Sequence, residues 1–271
     1  MLEVCIDSLE SAINAIHGGA DELEVCSSLP EGGLTPSPGL VKEILKMMDN
    51  ISCEKPIYKN CTEFCCKNIK RPKVNIMIRC RSGSDFCYTT EEMDTMLSDI
   101  EYYKTLNINR FVFGALKVTL QVDEENCQKV ITAANPIPVT FHRAFDLCIN
   151  PSFALDRISK LGFTRLLTSG QQMSAGDPKA INLLQKLLSK NEGKIEIMPG
   201  AGVNADNAKD FINIGCKIVH SSCKQSKKIN IGNNLSMGTS STQYIYYTDE
   251  KIVRRTKEVL FETVGEYKKG T

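Results

Sequence analysis

Two cysteines carry the first chemical signal. Cys5 lies near the end of the run Leu2-Glu3-Val4-Cys5-Ile6, and Cys26 closes Glu22-Leu23-Glu24-Val25-Cys26. Thiolates are soft ligands that suit Cu(I). If the two runs are adjacent parallel strands, Cys5 and Cys26 share a face and could share an ion, with His220, His142 or a glutamate completing the set. A second concentration is His142-Arg143-Ala144-Phe145-Asp146. A histidine there can act as acid or base near neutrality. Arg143 or Arg79 could grip a carboxylate or phosphate as a fork, and Asp146 could orient a neighbour. Glycine-rich turns form a third group, Thr168-Ser169-Gly170 and Pro199-Gly200-Ala201-Gly202. Glycine lets backbone N–H groups approach an anion, so Ser169, Gly200 and Gly202 are candidate anion contacts. Each feature also has a plain structural reading. Thiols can be small buried hydrophobes, the histidine a packed one, and the glycines only steric necessities of tight turns.

The chain has 271 residues and 12 cysteines. Cys53, Cys61, Cys65 and Cys66 could hold zinc, although their spacing is not that of a zinc ribbon, and Cys216 and Cys223 flank one apolar run. No Cys-x-x-Cys pair occurs, which weakens a redox-motif reading.

These residues must be positioned by elements, and the elements alternate. Strand patterns fall at about 2–6, 22–26, 74–79, 110–113, 139–142, 165–168, 194–198 and 217–221. Helical patterns follow each one, the last near 249–263. Eight such units in one chain predict a (β/α)8 barrel as a single domain over 1–271. An open doubly wound sheet is the alternative, but Asp7-Ser8-Leu9-Glu10 after the first strand is no dinucleotide fingerprint. Two segments interrupt the pattern. A cysteine-rich insertion at 52–71 belongs on the face opposite the barrel mouth, and a long loop at 222–248 belongs on the mouth side.

Period-two alternation assigns faces. Val4 and Ile6 oppose Glu3, Cys5 and Asp7; Leu23 and Val25 oppose Glu22, Glu24 and Cys26; Ile195 and Ile197 oppose Glu196 and Met198. The apolar set should meet the helices. The barrel axis then receives Glu3, Glu24, Asn75, Arg79 and Glu196, with Thr140, His142 and His220. Such a set is either an internal ion network, with Arg79 neutralising the glutamates, or a polar site at the strands' C-terminal ends. Both can hold.

The formal net charge is +1, which supports neither a nucleic-acid nor a membrane-surface partner. Met1 runs directly into a strand, without the basic and apolar regions of a signal peptide, and no apolar run is long enough to span a membrane. A cytoplasmic location with reduced thiols is therefore expected.

In these motifs the chain resembles the CutC family of copper homeostasis proteins. The resemblance rests on Leu2-Glu3-Val4-Cys5-Ile6-Asp7-Ser8, Leu23-Glu24-Val25-Cys26, Glu31-Gly32-Gly33-Leu34-Thr35-Pro36-Ser37, Met77-Ile78-Arg79 with Arg81, Val112-Phe113-Gly114-Ala115-Leu116, Thr140-Phe141-His142-Arg143-Ala144-Phe145-Asp146, Leu167-Thr168-Ser169-Gly170, Met198-Pro199-Gly200 and His220-Ser221-Ser222. It implies a (β/α)8 fold, a cytoplasmic homodimer or homotetramer, a part in copper tolerance and Cu(I) binding. It maps the family's barrel-mouth residues onto Glu24, Cys26, Arg79, Arg81, His142, Arg143, Asp146 and His220. Two departures stand out. Cys80 replaces a proline typical of the family and could shift the strand-three loop; Ala201 replaces the central glycine of a three-glycine run and could crowd a phosphate.

Two functions compete, besides a structural or assembly role in which the 52–71 insertion makes a subunit or partner contact. One is a Cu(I)-binding homeostasis protein with Cys5 and Cys26 as ligands. The other is a barrel enzyme acting on a small anionic metabolite, with Glu24 and His142 as acid–base groups, Asp146 and His220 beside them, and Arg79, Arg81 and Arg143 as the anion clamp.

Overall fold

The computed structural model describes residues 1–49, 70–228 and 244–269. Eight parallel strands alternate with helices along the chain. They are β1 (Leu2–Ile6), β2 (Glu22–Val25), β3 (Lys73–Met77), β4 (Arg110–Phe113), β5 (Val139–Phe141), β6 (Arg165–Thr168), β7 (Glu196–Pro199) and β8 (Val219–Ser221). The helices are α1 (Leu9–His17), α2 (Pro38–Asp49), α3 (Thr90–Lys104), α4 (Glu124–Ala134), α5 (Pro151–Leu161), α6 (Pro178–Asn191), α7 (Ala208–Asn213) and α8 (Glu250–Lys269). Each strand hydrogen-bonds to its sequence neighbour from β1 to β7, and β8 returns to β1. This is the (β/α)8 barrel that the alternation predicts. Its seam lies between β7 and β8, which touch without a ladder; Leu167, Met198 and Ile218 pack together across it.

Local chemistry starts most helices. Ser8 accepts from Ser11 N, Thr89 and Glu92 form a reciprocal capping box, and Asp123 accepts from Asn126 N. Proline occupies the first turn after the caps Asn150 and Asp177. Outward residues such as Leu2, Val4, Ile6, Leu23, Val25 and Phe111 are fully buried beneath the helices. No described helix is long and apolar enough to cross a membrane.

The barrel's lower interior is an ion network. Arg165 donates from Nη1 and Nη2 to Glu22 (2.7 and 3.1 Å), from Nη1 to Glu3 (3.4 Å) and from Nε to Glu196 (2.7 Å). Asn75 donates to Glu3 (2.5 Å) and Glu22 (2.8 Å). The glutamates are thus neutralised by Arg165 and not by Arg79, whose guanidinium reaches loop carbonyls instead. Strand β6 reads Arg-Leu-Leu-Thr and is buried on both faces, so no alternation marked Arg165 as inward.

The 222–248 segment is not simply a loop. Its ends pair as an antiparallel ribbon, β9 (Lys224–Lys228) with β10 (Tyr244–Thr248). The ribbon is fastened to α1: Thr248 N donates to Ser11 Oγ, Asn14 donates to Thr248 O, and Lys227 pairs with Glu10 at 3.0 Å. Its centre lies outside the described residues. So do the insertion over residues 52–69 and its four cysteines, Cys53, Cys61, Cys65 and Cys66.

Candidate functional site

Parity places Cys5, Glu24 and His220 on the barrel's inner face, and register brings them together. Cys5 is paired with Glu24 across β1 and β2, and Glu3 with His220 across β1 and β8. One ligand atom from each of Cys5, Glu24 and His220 lies within 4.8 Å of the other two, and all three residues are buried. No other such group of histidine, cysteine and carboxylate occurs among the described residues. Cys26 sits one inward position further along β2 from Glu24. Its thiol donates to Glu24 Oε2 at 3.5 Å. Cys5 therefore faces Glu24 directly, and Cys26 joins the group through that carboxylate.

The imidazole is held between two acids. His220 Nδ1 lies 2.8 Å from Glu3 Oε1, and Nε2 lies 3.8 Å from Glu24 Oε2. Burial opposes its charge, but Cys5, Glu24 and Glu3 together outweigh burial and raise its pKa well above the usual 6.5. Both ring nitrogens then carry a proton, and Nδ1 donates to Glu3. Glu24 is pushed up to about 7, chiefly by burial, with the Glu3 charge adding and His220 opposing. Its Oε1 is buried without a hydrogen-bond partner. Burial, then the Glu24 charge, lifts the Cys26 thiol well above its ordinary value. A soft cation arriving here would find two thiols and an imidazolium that must give up its Nε2 proton to become a ligand. It would also find a carboxylate able to take a thiol proton and Glu3 to fix the ring, an arrangement common behind metal-bound histidines.

The other predicted residues are placed differently. Arg79 Nη1 donates to the carbonyls of Glu31 (2.7 Å) and Gly33 (3.0 Å), and Nη2 to that of Gly83 (2.6 Å). It ties two mouth loops together. Arg81 is engaged by Asp85 and Glu92. Arg143 donates to Asp146 (2.9 Å) and to Ser169 Oγ (3.2 Å). Asp146 also accepts from Thr168 Oγ1, Ser169 N and Oγ, and Gln171 N, so it pins the loop after β6. His142 accepts from Ala144 N at Nδ1 and packs on Phe86. Burial, then the Arg79 charge, lowers its pKa to about 3, which leaves it neutral at pH 7 and far from the range of an acid–base catalyst.

The glycine turns follow steric need. A Cβ on Gly200 would lie 2.6 Å from Leu167 Cδ1, and one on Gly202 would lie 2.5 Å from Ser174 Oγ. Ala201 between them holds φ +74°, in the left-handed region. Its methyl group therefore strains the backbone itself. Restoring glycine relieves a cost of about 1–2 kcal/mol and loses part of it to unfolded-chain entropy. Ala201→Gly should raise stability by up to about 1 kcal/mol. A lower urea midpoint than wild type would refute this. Cys216 and Cys223 belong to the core beneath the helices, with Cys223 near enough to feel the charges of Cys5 and His220. A broad groove between α3 and α4, lined by Leu97, Glu101, Glu125 and Lys129, lies on the outer helical wall and holds none of these groups.

A parallel eight-stranded barrel with a buried thiol–carboxylate–imidazole group on its axis defines the class of protein. The sequence profile of the CutC family matches residues 1–225, and the chain belongs to that family. It is 38% identical over 260 residues to the copper homeostasis protein cutC homolog of Caenorhabditis elegans, covering 96% of this chain and 94% of that one. The homolog of the same name from Homo sapiens is 35% identical over 244 residues, covering 89% and 80%. Among solved structures, the putative copper homeostasis protein CutC from Streptococcus agalactiae aligns with a TM-score of 0.70 and 29% identity, over 82% of this chain and 98% of that one.

Proposed function

We propose that this chain serves copper homeostasis by binding Cu(I) as cargo at the barrel axis, in the reducing cytosol. The convergence of Cys5, Glu24 and His220 within 4.8 Å, with Cys26 hydrogen-bonded to Glu24, carries the reading. Cys5, Cys26 and His220 supply the soft donors. Glu24 receives the Cys26 proton as the thiolate forms, a role that fits a carboxylate titrating near 7. Glu3 holds His220 Nδ1–H, while the His220 Nε2 proton and the Cys5 thiol proton would pass to solvent as the ion binds. The names of the relatives support the copper assignment.

Anaerobic titration with Cu(I) against a competing Cu(I) chelator tests it. One Cu(I) per chain should be withheld from the chelator and released on acidification, because the ligands must be deprotonated to bind. Failure of the chain to compete at any pH would remove the proposal. The enzyme reading has one favourable observation, the titration of Glu24 near neutrality. Against it, Arg81 and Arg143 are engaged and His142 titrates far too low.

A further inference from the structure

A second group of polar atoms lies at the ends of β3 and β5 and shares no residue with the thiol–carboxylate–imidazole group. Arg79 and His142 are each 4% exposed. Each keeps one buried nitrogen without a hydrogen-bond partner, Arg79 Nε and His142 Nε2. The tautomer of His142 follows from its surroundings. Nδ1 accepts from Ala144 N, so in the neutral ring the proton is on Nε2. Both orphaned atoms are therefore N–H donors, and one belongs to a permanent cation. Buried polar groups in folded proteins are nearly always satisfied, so each exception asks for an explanation.

The two donors are linked by a strained residue. The Phe86 ring centre lies 5.3 Å from the Arg79 guanidinium carbon and 5.0 Å from the centre of the His142 ring. Phe86 holds φ +52°, which a bulky side chain rarely adopts. Its carbonyl accepts from Leu116 N, which helps hold the strained turn in place. Such strain concentrates at ligand clamps and active sites. Glycine at position 114 keeps the ring in place, since a Cβ there would lie 2.6 Å from His142 Nδ1.

We propose that Arg79 Nε–H and His142 Nε2–H, which flank Phe86 at the ends of β3 and β5, bind a small oxyanion, a carboxylate or phosphate group. An acceptor-only oxyanion matches two buried N–H donors that have no hydrogen-bond partner. Because His142 stays neutral at pH 7, its Nε2–H is a donor throughout the physiological range. The proposal rests on neither copper binding nor turnover.

The test is NMR of the full chain with 15N-labelled histidine and arginine side chains, titrated separately with inorganic phosphate and with acetate at constant ionic strength. The His142 Nε2–H and Arg79 Nε–H resonances should move together and saturate with one of the two probes. Saturation by phosphate identifies a phosphate subsite, and saturation by acetate a carboxylate subsite. His142→Phe, which keeps a ring against Phe86, should weaken that probe by at least about tenfold. Cys5→Ser should leave it unchanged. If neither probe moves both resonances in the wild-type chain, the proposal fails whether or not the variant folds. Unchanged affinity in a folded His142→Phe also overturns it.

Discussion

Arg165→Met is expected to destabilise the chain by about 3–5 kcal/mol, the usual cost of removing one partner from a buried ion network. Arg165 is 2% exposed and makes hydrogen-bonded pairs with Glu3, Glu22 and Glu196 at once. Methionine, shorter and uncharged, leaves those carboxylates facing one another. Lys73, 3.6 Å from Glu22 and largely exposed, is a weak substitute. Urea denaturation at pH 7 measures the loss, and a variant with the wild-type midpoint would show that the network is dispensable.

The same network sets an acid limb. Burial alone would raise the Glu22 pKa, but the Arg165 hydrogen bonds and charge override it and bring it from 4.5 to about 2. A carboxylate depressed in the folded state contributes stability above its unfolded pKa and loses it as pH falls through the folded one. Glu22 should therefore supply on the order of 3 kcal/mol near neutrality, lost progressively from about pH 4.5 down to about pH 2. Arg165→Met should flatten that limb. The double variant Glu22→Gln, Arg165→Met should recover part of the stability, because one unpaired buried charge is gone.

The second large effect is on metal affinity. Cys5→Ser should weaken Cu(I) binding on the order of 100-fold or more, beyond the 10–100-fold typical of losing an outer-shell partner. A hydroxyl is a hard, weak donor for a soft ion. Glu3→Gln should fall within the smaller range, since it alters only the orientation of His220. The ranking is the informative result. If Cys5→Ser retains wild-type affinity while Cys26→Ser loses it, the ion is held further toward the mouth and Cys5 is only a packed thiol. Chelator competition on each folded variant reads this directly.

The barrel was largely legible in the chain. Strands such as Leu2–Ile6 and Arg110–Phe113, and helices such as Glu124–Ala134 and Pro151–Leu161, lie where patterning and caps put them. Helix α2 begins earlier than its apolar pattern, at Pro38, because proline is well suited to a first turn. The site was only half legible. Alternation puts Glu24, Cys5 and His220 on the inner face, but it points to Arg79 as the cation that neutralises the glutamates, where the structure has Arg165. The one signal for Arg165 was a lone cation in an otherwise buried, uncharged strand, with several inward glutamates needing a partner.

Sequence by itself determined which face of each strand a side chain takes, because alternation follows from the local geometry of an extended backbone. That alone put thiol, carboxylate and imidazole on the barrel axis. Only the tertiary structure decided which of them meet. Register between strands comes from the stagger imposed by closing the barrel, and it pairs Cys5 with Glu24 and Glu3 with His220. Long side chains add a second freedom that no spacing records. Arg165 extends into the network of three glutamates, whereas Arg79 turns to the carbonyls of two loops.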